Sequence, residues 1–195
     1  GHKISIALEE MGLEYQVFPI NILENDQFQP DFLRISPNNK IPAIVDQDGP
    51  KGEAISVFES GAILQYLGRK TGQFYPSDEQ SRVEVEQWLM WQMGGFGPML
   101  GQNHHFSKFA PERIAYATER YVNETKRLYG VLDKQLFGQN YVAGEYSIAD
   151  MAIFPWILRY EWQQIDINDY PNVKAYMERI QARPAVQRAL ALQVN

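Results

Sequence analysis

The chain has 195 residues, of which 45% are hydrophobic, 13% aromatic and 22% charged, and its formal net charge is −6. These values are typical of a folded globular protein and argue against global disorder. The acidic balance, with no stripe of Lys and Arg, argues against a nucleic-acid partner. The sequence contains neither an apolar run of membrane-spanning length nor a secretory signal pattern, so we expect no membrane partner and a cytoplasmic location.

Cysteine is absent from these residues, and the three histidines do not have the spacing of a zinc motif. A disulfide, a thiolate metal site and a cysteine nucleophile within this chain are therefore excluded, and we expect no metal. If the protein carries out thiol chemistry, the thiol has to arrive with the substrate.

The first part of the chain predicts a small α/β domain. Residues 3–12 have apolar side chains at helical spacing and end at Gly12, a suitable helix stop. The alternation in Tyr15–Ile20 predicts a strand, and Pro19 favours its edge or end. Pro30–Ile35 is predicted to form a short helix.

Two further short strands are predicted at Ile41–Val45 and Ala54–Phe58. The segment between them, residues 46–53, is rich in turn-forming residues, which favours a hairpin. Ser60–Arg69 then has Ile63, Leu64 and Leu67 on one face, so a helix is expected to follow the second strand directly.

Residues 71–78 interrupt this pattern and are the best candidate for a linker. We therefore expect an α/β domain over 1–70, a linker over 71–78 and an all-helical domain over 79–195. The predicted helices of the second domain cover residues 79–93, 111–137, 147–162, 171–182 and 184–192.

One helix start in the second domain is unusually well marked. Ser147 is followed three residues later by Asp150, a pattern typical of a capping box with Asp in place of the usual Glu. A structural role in starting the helix is favoured over a functional one.

The start of the predicted helix at Ser60 could bind an anion. Free N–H groups and the helix dipole favour a carboxylate there, and Glu59 could pair with a neighbouring ammonium group. Lys40 could reach a second carboxylate, and Ile41 could offer its backbone if the Ile41–Pro42 bond is cis. The alternatives are that Ser60 is only an N-cap residue and Lys40 only a solvated charge.

Two segments carry a family resemblance. Asn38–Ile44 and Phe58–Ile63 resemble the glutathione transferase motif that contains a cis-proline and a Glu-Ser pair, and residues 147–150 resemble the capping motif of its helical domain. The stretch Gln92–Phe106 is similar to one typical of bacterial Nu-class transferases, the relatives of the yeast prion-forming nitrogen regulator. The resemblance implies a thioredoxin-like domain followed by an all-α domain, and a homodimer.

Carried over by position, the resemblance implies seven residues around bound glutathione: Gln27, Lys40, Ile41, Pro42, Glu59, Ser60 and Arg120. For Arg120, a surface ion pair with Glu124 is an equally good interpretation. For His104 and His105, packing or an interface role is favoured over catalysis.

The resemblance also implies a first strand and a residue that contacts the glutathione sulfur, both matching positions before Gly1. We therefore expect about ten further residues ahead of Gly1, because removing a central strand would leave backbone groups unpaired. No catalytic residue can be named in this numbering.

Some Nu-class proteins are glutathione-dependent disulfide-bond oxidoreductases, so the leading hypothesis is exchange of thiol for disulfide by bound glutathione or glutathione disulfide. The alternatives are conjugation of glutathione to a small electrophile, and a regulator that binds glutathione without turnover.

Overall fold

The computed structural model describes residues 1–192. The chain divides into two compact units, one formed by Gly1–Gln73 with the segment from Ala185 onward, the other by Phe74–Pro184. The C-terminal segment, which the sequence interpretation placed in the helical domain, thus belongs to the first unit. No helix in the described range is long and apolar enough to cross a membrane.

The first unit begins with three helices and one hairpin. In chain order they are α1 (His2–Glu10), α2 (Pro30–Ile35), β1 (Ala43–Asp46), β2 (Ile55–Phe58) and α3 (Ser60–Thr71). The apolar spacing predicted α1 and α3 correctly, because apolar side chains at that spacing, such as Ile4, Ala7 and Leu64, form the buried face. Gly12 and Gly72 end α1 and α3 in the left-handed region, at φ +65° and +68°.

The strand predicted at Tyr15–Ile20 is wrong. In the described chain no backbone hydrogen bond joins residues 14–20 to another segment, and the two strands that do pair are β1 and β2. Alternation makes a segment suitable for a sheet, but a strand exists only when a neighbour supplies its hydrogen bonds. Phe18 is accordingly 72% exposed.

The predicted hairpin is confirmed. Strands β1 and β2 are antiparallel, with Ala43 opposite Phe58 at one end and Asp46 opposite Ile55 at the other. At the second end, Asp46 accepts hydrogen bonds from the Tyr66 hydroxyl (2.6 Å) and the Lys70 ammonium (2.5 Å). These bonds fasten the hairpin to the last turns of α3.

The second unit is helical. Its helices are α4 (Glu79–Trp91), α5 (Gly97–His104), α6 (Ala115–Gln135), α7 (Ile148–Ile157) and α8 (Pro171–Gln181). Two π-helical turns, Gln92–Phe96 and His105–Phe109, flank α5, so the chain is helical from Gln92 to Phe109 despite its Gly and Pro residues. The core centres on α7, in which all residues from Ile148 to Phe154 are buried.

Helix α7 starts as predicted and ends early. The capping box is present: Ser147 Oγ accepts from the backbone N–H of Ala149, and Asp150 accepts from the Ser147 N–H at 2.8 Å. The predicted end at Trp162 is wrong, because α7 stops at Ile157. The carbonyl oxygen of Trp156 accepts instead from the backbone N–H of Arg159 (3.2 Å), a 3₁₀-type bond, and from the side-chain amide of Gln163 (2.8 Å).

Helix α6 also differs from its prediction, since it begins at Ala115 rather than at residue 111. The last helix, α9 (Pro184–Ala191), buries Ala185, Val186 and Ala189. Its Arg188 donates to the Glu9 carboxylate on α1 at 2.7 Å, and α9 thereby packs within the first unit.

Candidate functional site

The hairpin register brings together the two segments that the sequence singled out. Ala43 and Phe58 form the last ladder pair, so the residues just beyond them lie side by side at the same end of the hairpin. Lys40, Ile41 and Pro42 come from one strand and Glu59 and Ser60 from the other. Five of the seven predicted site residues are therefore neighbours in space.

The loop before β1 is held by its own hydrogen bonds. The Asn39 N–H donates to the Ser36 carbonyl (2.9 Å), and the Ser36 hydroxyl donates to the Lys40 carbonyl (2.7 Å). Asn39 has φ +50°, a conformation that asparagine tolerates better than most residues. The Ile41–Pro42 bond is cis, while the side chains of Lys40 and Ile41 stay exposed.

Glu59 has an uncommon backbone conformation. Its φ and ψ are +68° and 115°, a region that costs a residue with a side chain about 1–3 kcal/mol. Such strain is found most often where a site requires it. Its effect here is to turn the chain sharply from β2 into α3 while the carboxylate remains at the surface.

Helix α3 begins at Ser60, and Glu59 is its N-cap residue with no side-chain capping bond. Ser60 is thus the first helical residue and not the N-cap residue. The first helical bond runs from the Ile63 N–H to the Glu59 carbonyl (2.9 Å), so the N–H groups of Gly61 and Ala62, in the first turn, precede the helical ladder. An anion at this end would meet both those N–H groups and the positive end of the helix dipole.

Sequence reasoning missed Lys3. Its ammonium nitrogen lies 3.4 Å from Ser60 Oγ, across the contact between α1 and α3. Burial lowers the pKa of Lys3 to about 8, while the negative charge of Glu59 acts in the opposite direction. The only signal in the sequence was a lone lysine at a helix start, which by itself is typical of a solvated charge.

Gln27 lies in a short 3₁₀ turn, Asp26–Phe28, that leads towards α2. Its side-chain nitrogen donates weakly to the Ile22 carbonyl (3.4 Å), whereas its buried oxygen Oε1 meets no hydrogen-bond donor in the described chain. An acceptor of this kind suits a ligand N–H group. Gln27 is therefore compatible with the predicted role.

Arg120 is exposed on α6, in the second unit. The predicted alternative, an ion pair with Glu124, is not formed: Glu124 accepts two hydrogen bonds from Arg127, at 2.7 and 2.8 Å. Arg120 instead lines an open groove of about 710 Å³ with Met99, Tyr116 and Tyr121. Glu119, Asn123, Glu124 and Arg127 complete the lining, so the groove carries charges of both signs.

His104 is half-buried between the rings of Trp156 and Trp162, with centroid distances of 5.7 and 5.9 Å. Burial, together with the charges of Arg159 and Lys108, lowers the pKa of His104, which agrees with a packing role for a neutral ring. His105 is exposed and packs edge-on against Phe106. Among the described residues, no group of three or more His, Cys, Asp or Glu side chains could hold a metal ion.

Comparison with known protein families finds a matching family model for each of the two units. The model for the N-terminal domain of glutathione S-transferase matches residues 1–69, and the model for the C-terminal domain matches residues 96–184. The disulfide-bond oxidoreductase YfcG of Escherichia coli is 54% identical over 194 residues, which cover 97% of this chain and 89% of that protein.

Solved structures agree with this result. A glutathione transferase family member from Pseudomonas fluorescens, with two glutathione bound, is 48% identical with a TM-score of 0.94, over 99% of this chain and 88% of that one. A glutathione transferase from Pseudomonas putida, with one glutathione disulfide bound per subunit, is 45% identical with a TM-score of 0.94, over 98% and 86%.

Proposed function

Because the chain belongs to the glutathione S-transferase family, we propose that it is a glutathione-dependent thiol–disulfide oxidoreductase. The membership bears out the family resemblance of residues 38–44 and 58–63 and the expected architecture of an α/β domain followed by a helical one. The identity to a bacterial disulfide-bond oxidoreductase agrees with the resemblance to Nu-class proteins.

The observation that carries the proposal is the meeting of residues 40–42 and 59–60 at one end of the hairpin. Glutathione has an ammonium and a carboxylate at its γ-glutamyl end, a peptide-like middle and a second carboxylate at its glycine end. The start of α3 at Ser60 suits the first carboxylate, and Glu59 suits the ammonium. The backbone of Ile41 suits the middle of the ligand, and Lys40 the far carboxylate.

In the proposed reaction the thiolate of one bound glutathione attacks a sulfur of the substrate disulfide. A mixed disulfide forms, and the first substrate thiol leaves with a proton. The thiolate of a second glutathione then attacks the glutathione sulfur of the mixed disulfide, which releases the second substrate thiol and glutathione disulfide. Two glutathione molecules are oxidised for each disulfide reduced, and no cysteine of these 195 residues takes part, since they contain none.

Two similar structures support this stoichiometry: the Pseudomonas fluorescens protein has two glutathione bound, and the Pseudomonas putida protein has one glutathione disulfide bound per subunit. The residue that contacts the sulfur is not assigned among the residues of this chain. Its part would be to lower the thiol pKa with a hydrogen-bond donor, because the thiolate is the nucleophile.

The test is turnover of 2-hydroxyethyl disulfide with reduced glutathione by the full-length protein, beside conjugation of glutathione to 1-chloro-2,4-dinitrobenzene. Fast disulfide reduction with little conjugation is the expected result. Glutathione binding without turnover in either assay would overturn the proposal in favour of a regulator.

The groove on the second unit favours conjugation as a second candidate function. Met99, Tyr116 and Tyr121 present apolar and aromatic surface beside Arg120, which would suit an electrophilic aromatic acceptor. Conjugation faster than disulfide reduction in the paired assays would support this candidate over the first.

We further propose that the protein is a homodimer that works in the cytoplasm. Val83 and Met90, 38% and 49% exposed, lie seven residues apart on one face of α4, and exposed apolar side chains that share a face suit an interface. The cytoplasm maintains the reduced glutathione that the proposed reaction consumes.

A further inference from the structure

The second unit holds two cations over one indole ring. The ammonium nitrogen of Lys108 lies 4.0 Å from the centre of the Trp162 ring, and the guanidinium carbon of Arg159 lies 4.6 Å from it. A ring attracts a cation within about 6 Å of its centre, so Trp162 keeps the two positive charges close to each other.

Within residues 1–192, this pair of cations has no acidic partner. Neither Lys108 nor Arg159 forms an ion pair or a side-chain hydrogen bond with a residue of that range. Both charges also act on His104, whose pKa is lowered first by burial and then by Arg159 and Lys108. Because like charges at short range repel each other, an anion bound beside the pair would relieve that repulsion.

A buried hydrogen-bond network fixes the two backbone segments that carry the lysine and the tryptophan. The side chain of Asn103, which is fully buried, accepts from the Ser107 hydroxyl (2.7 Å) and donates to the Gln163 carbonyl (2.9 Å). Ser107 directly precedes Lys108, and Gln163 directly follows Trp162. The segments are therefore held side by side before a ligand arrives, which lowers the cost of ordering them on binding.

An open cleft of about 290 Å³ adjoins the pair, since Lys108 is also one of its lining residues. The lining includes another exposed cation, Arg113, which forms no ion pair with a described residue. The hydroxyls of Ser107 and Thr118 already donate to Asn103 and to the Phe106 carbonyl. Charged groups are therefore the main donors that the cleft offers to a ligand, and its volume suits a small molecule.

We infer that this surface is a binding site for a small organic anion with two or more carboxylate or phosphate groups. Lys108 and Arg159 bind one anionic group beside the Trp162 ring, and the cleft receives the rest of the ligand, with its second anionic group near Arg113. None of these residues is among the seven predicted around glutathione, so the inference does not depend on the proposed function.

The test is calorimetry of the full-length protein with citrate, pyrophosphate and orthophosphate, at one ionic strength set with chloride so that general screening stays constant. Citrate or pyrophosphate should bind with a dissociation constant below about 1 mM. Orthophosphate, with a single anionic group, should bind about tenfold more weakly. Tighter binding of citrate would identify a carboxylate ligand, and tighter binding of pyrophosphate a phosphate ligand. Binding of neither would overturn the inference.

Two variants test the pair over the indole ring. Lys108→Met and Arg159→Met should each weaken the binding of citrate and pyrophosphate by about tenfold or more, the range of a charged hydrogen bond. Both side chains are exposed, so their loss should leave the fold intact. The matched control is Lys126→Met, which removes an exposed lysine from α6 and should keep the full affinity. An equal loss in the control would show that the protein senses only overall charge, and would overturn the inference.

Two further variants test the cleft. Arg113→Met should weaken the binding of citrate and pyrophosphate several-fold but leave that of orthophosphate unchanged, because only the larger probes have a second anionic group. Glu112→Gln should strengthen the binding of the larger probes, since Glu112 is an acidic residue of the same lining and repels them. If neither variant changes their affinity, the second anionic group is not bound in the cleft.

A second measurement follows His104 in the wild-type protein. The sequence contains three histidines, and a His104→Gln spectrum identifies the imidazole signal of His104 in NMR. An anion at Lys108 and Arg159 offsets two of the charges that lower the pKa of His104, so saturating citrate should raise that pKa by about half a unit or more. Chloride at the same ionic strength should leave it unchanged. An equal response to citrate and chloride would contradict the inference.

Discussion

Replacing Asp150 by Ala should destabilise the second unit far more than the loss of a helix cap would. The carboxylate is fully buried and accepts four hydrogen bonds. Its donors are the Ser147 N–H (2.8 Å), the Ser147 hydroxyl (3.2 Å), the Val142 N–H (3.0 Å) and the Tyr176 hydroxyl (2.9 Å). Asp150 therefore joins the start of α7 both to the preceding loop and to α8.

The expected magnitude follows from the donors left behind. Without the carboxylate, two backbone N–H groups and one tyrosine hydroxyl lose their acceptor among residues that are at most 2% exposed. An unsatisfied buried group costs about 1–3 kcal/mol. Allowing for some rearrangement around the smaller side chain, we expect a loss of about 3–5 kcal/mol, a large part of the roughly 5–15 kcal/mol that stabilises a typical protein.

Urea unfolding monitored by tryptophan fluorescence is a suitable assay, because all four tryptophans lie in the second unit. With a slope of about 2 kcal/mol per molar urea, the midpoint of Asp150→Ala should fall by about 2 M. The matched control, Ser147→Ala, removes the cap but keeps the carboxylate, and should lose only about 1 kcal/mol. If both variants lose about the same, with unchanged slopes, the four-donor network does not provide the stability argued here.

Four further outcomes are expected. Ser60→Ala should weaken glutathione binding by about 1–3 kcal/mol in calorimetry, because the ligand carboxylate loses a donor; unchanged affinity would contradict the role of Ser60. Arg120→Ala should raise the KM for glutathione several-fold, whereas a wild-type KM would show that Arg120 is only a surface charge. Met90→Glu should convert a dimer into a monomer in light scattering, and a dimer that survives would argue against the α4 face. Burial raises the pKa of Asp150 to about 6, so the folded protein retains a proton that the unfolded chain releases between about pH 4 and 6. The free energy of unfolding should therefore fall by up to about 3 kcal/mol as pH rises through that window. Asp150→Asn should lack this change. The free energy of unfolding of the wild type minus that of Asp150→Asn, measured at each pH, removes the contributions of the other carboxylates. A difference that does not vary with pH would refute the assignment.

Local chemistry explains the features that the sequence predicted well. Pro30–Ile35 forms the expected helix because a proline is well tolerated in the first helical turn. The pattern of Ser147 and Asp150 gives the capping box because its hydrogen bonds span only three residues. Residues 38–44 and 58–63 revealed the family resemblance because each motif is also local. Each short stretch contains both a backbone turn and the residues next to that turn.

Contacts between distant residues account for what the sequence could not supply. Tyr15–Ile20 alternates like a strand, yet a strand requires a partner segment, and alternation does not reveal whether one is present. Lys3 approaches Ser60 only because α1 packs on α3.

The sequence by itself therefore determined the helices of the first unit, the hairpin, the capping box, the family and the residue types of the candidate site. Only the tertiary structure decided which of those residues are neighbours: the hairpin register sets residues 40–42 beside 59–60, and the packing of α1 on α3 brings Lys3 to Ser60. The physical reason is that helix starts, turns and caps depend on interactions within a few residues. Registers and buried charges depend instead on segments that meet only when the chain has folded.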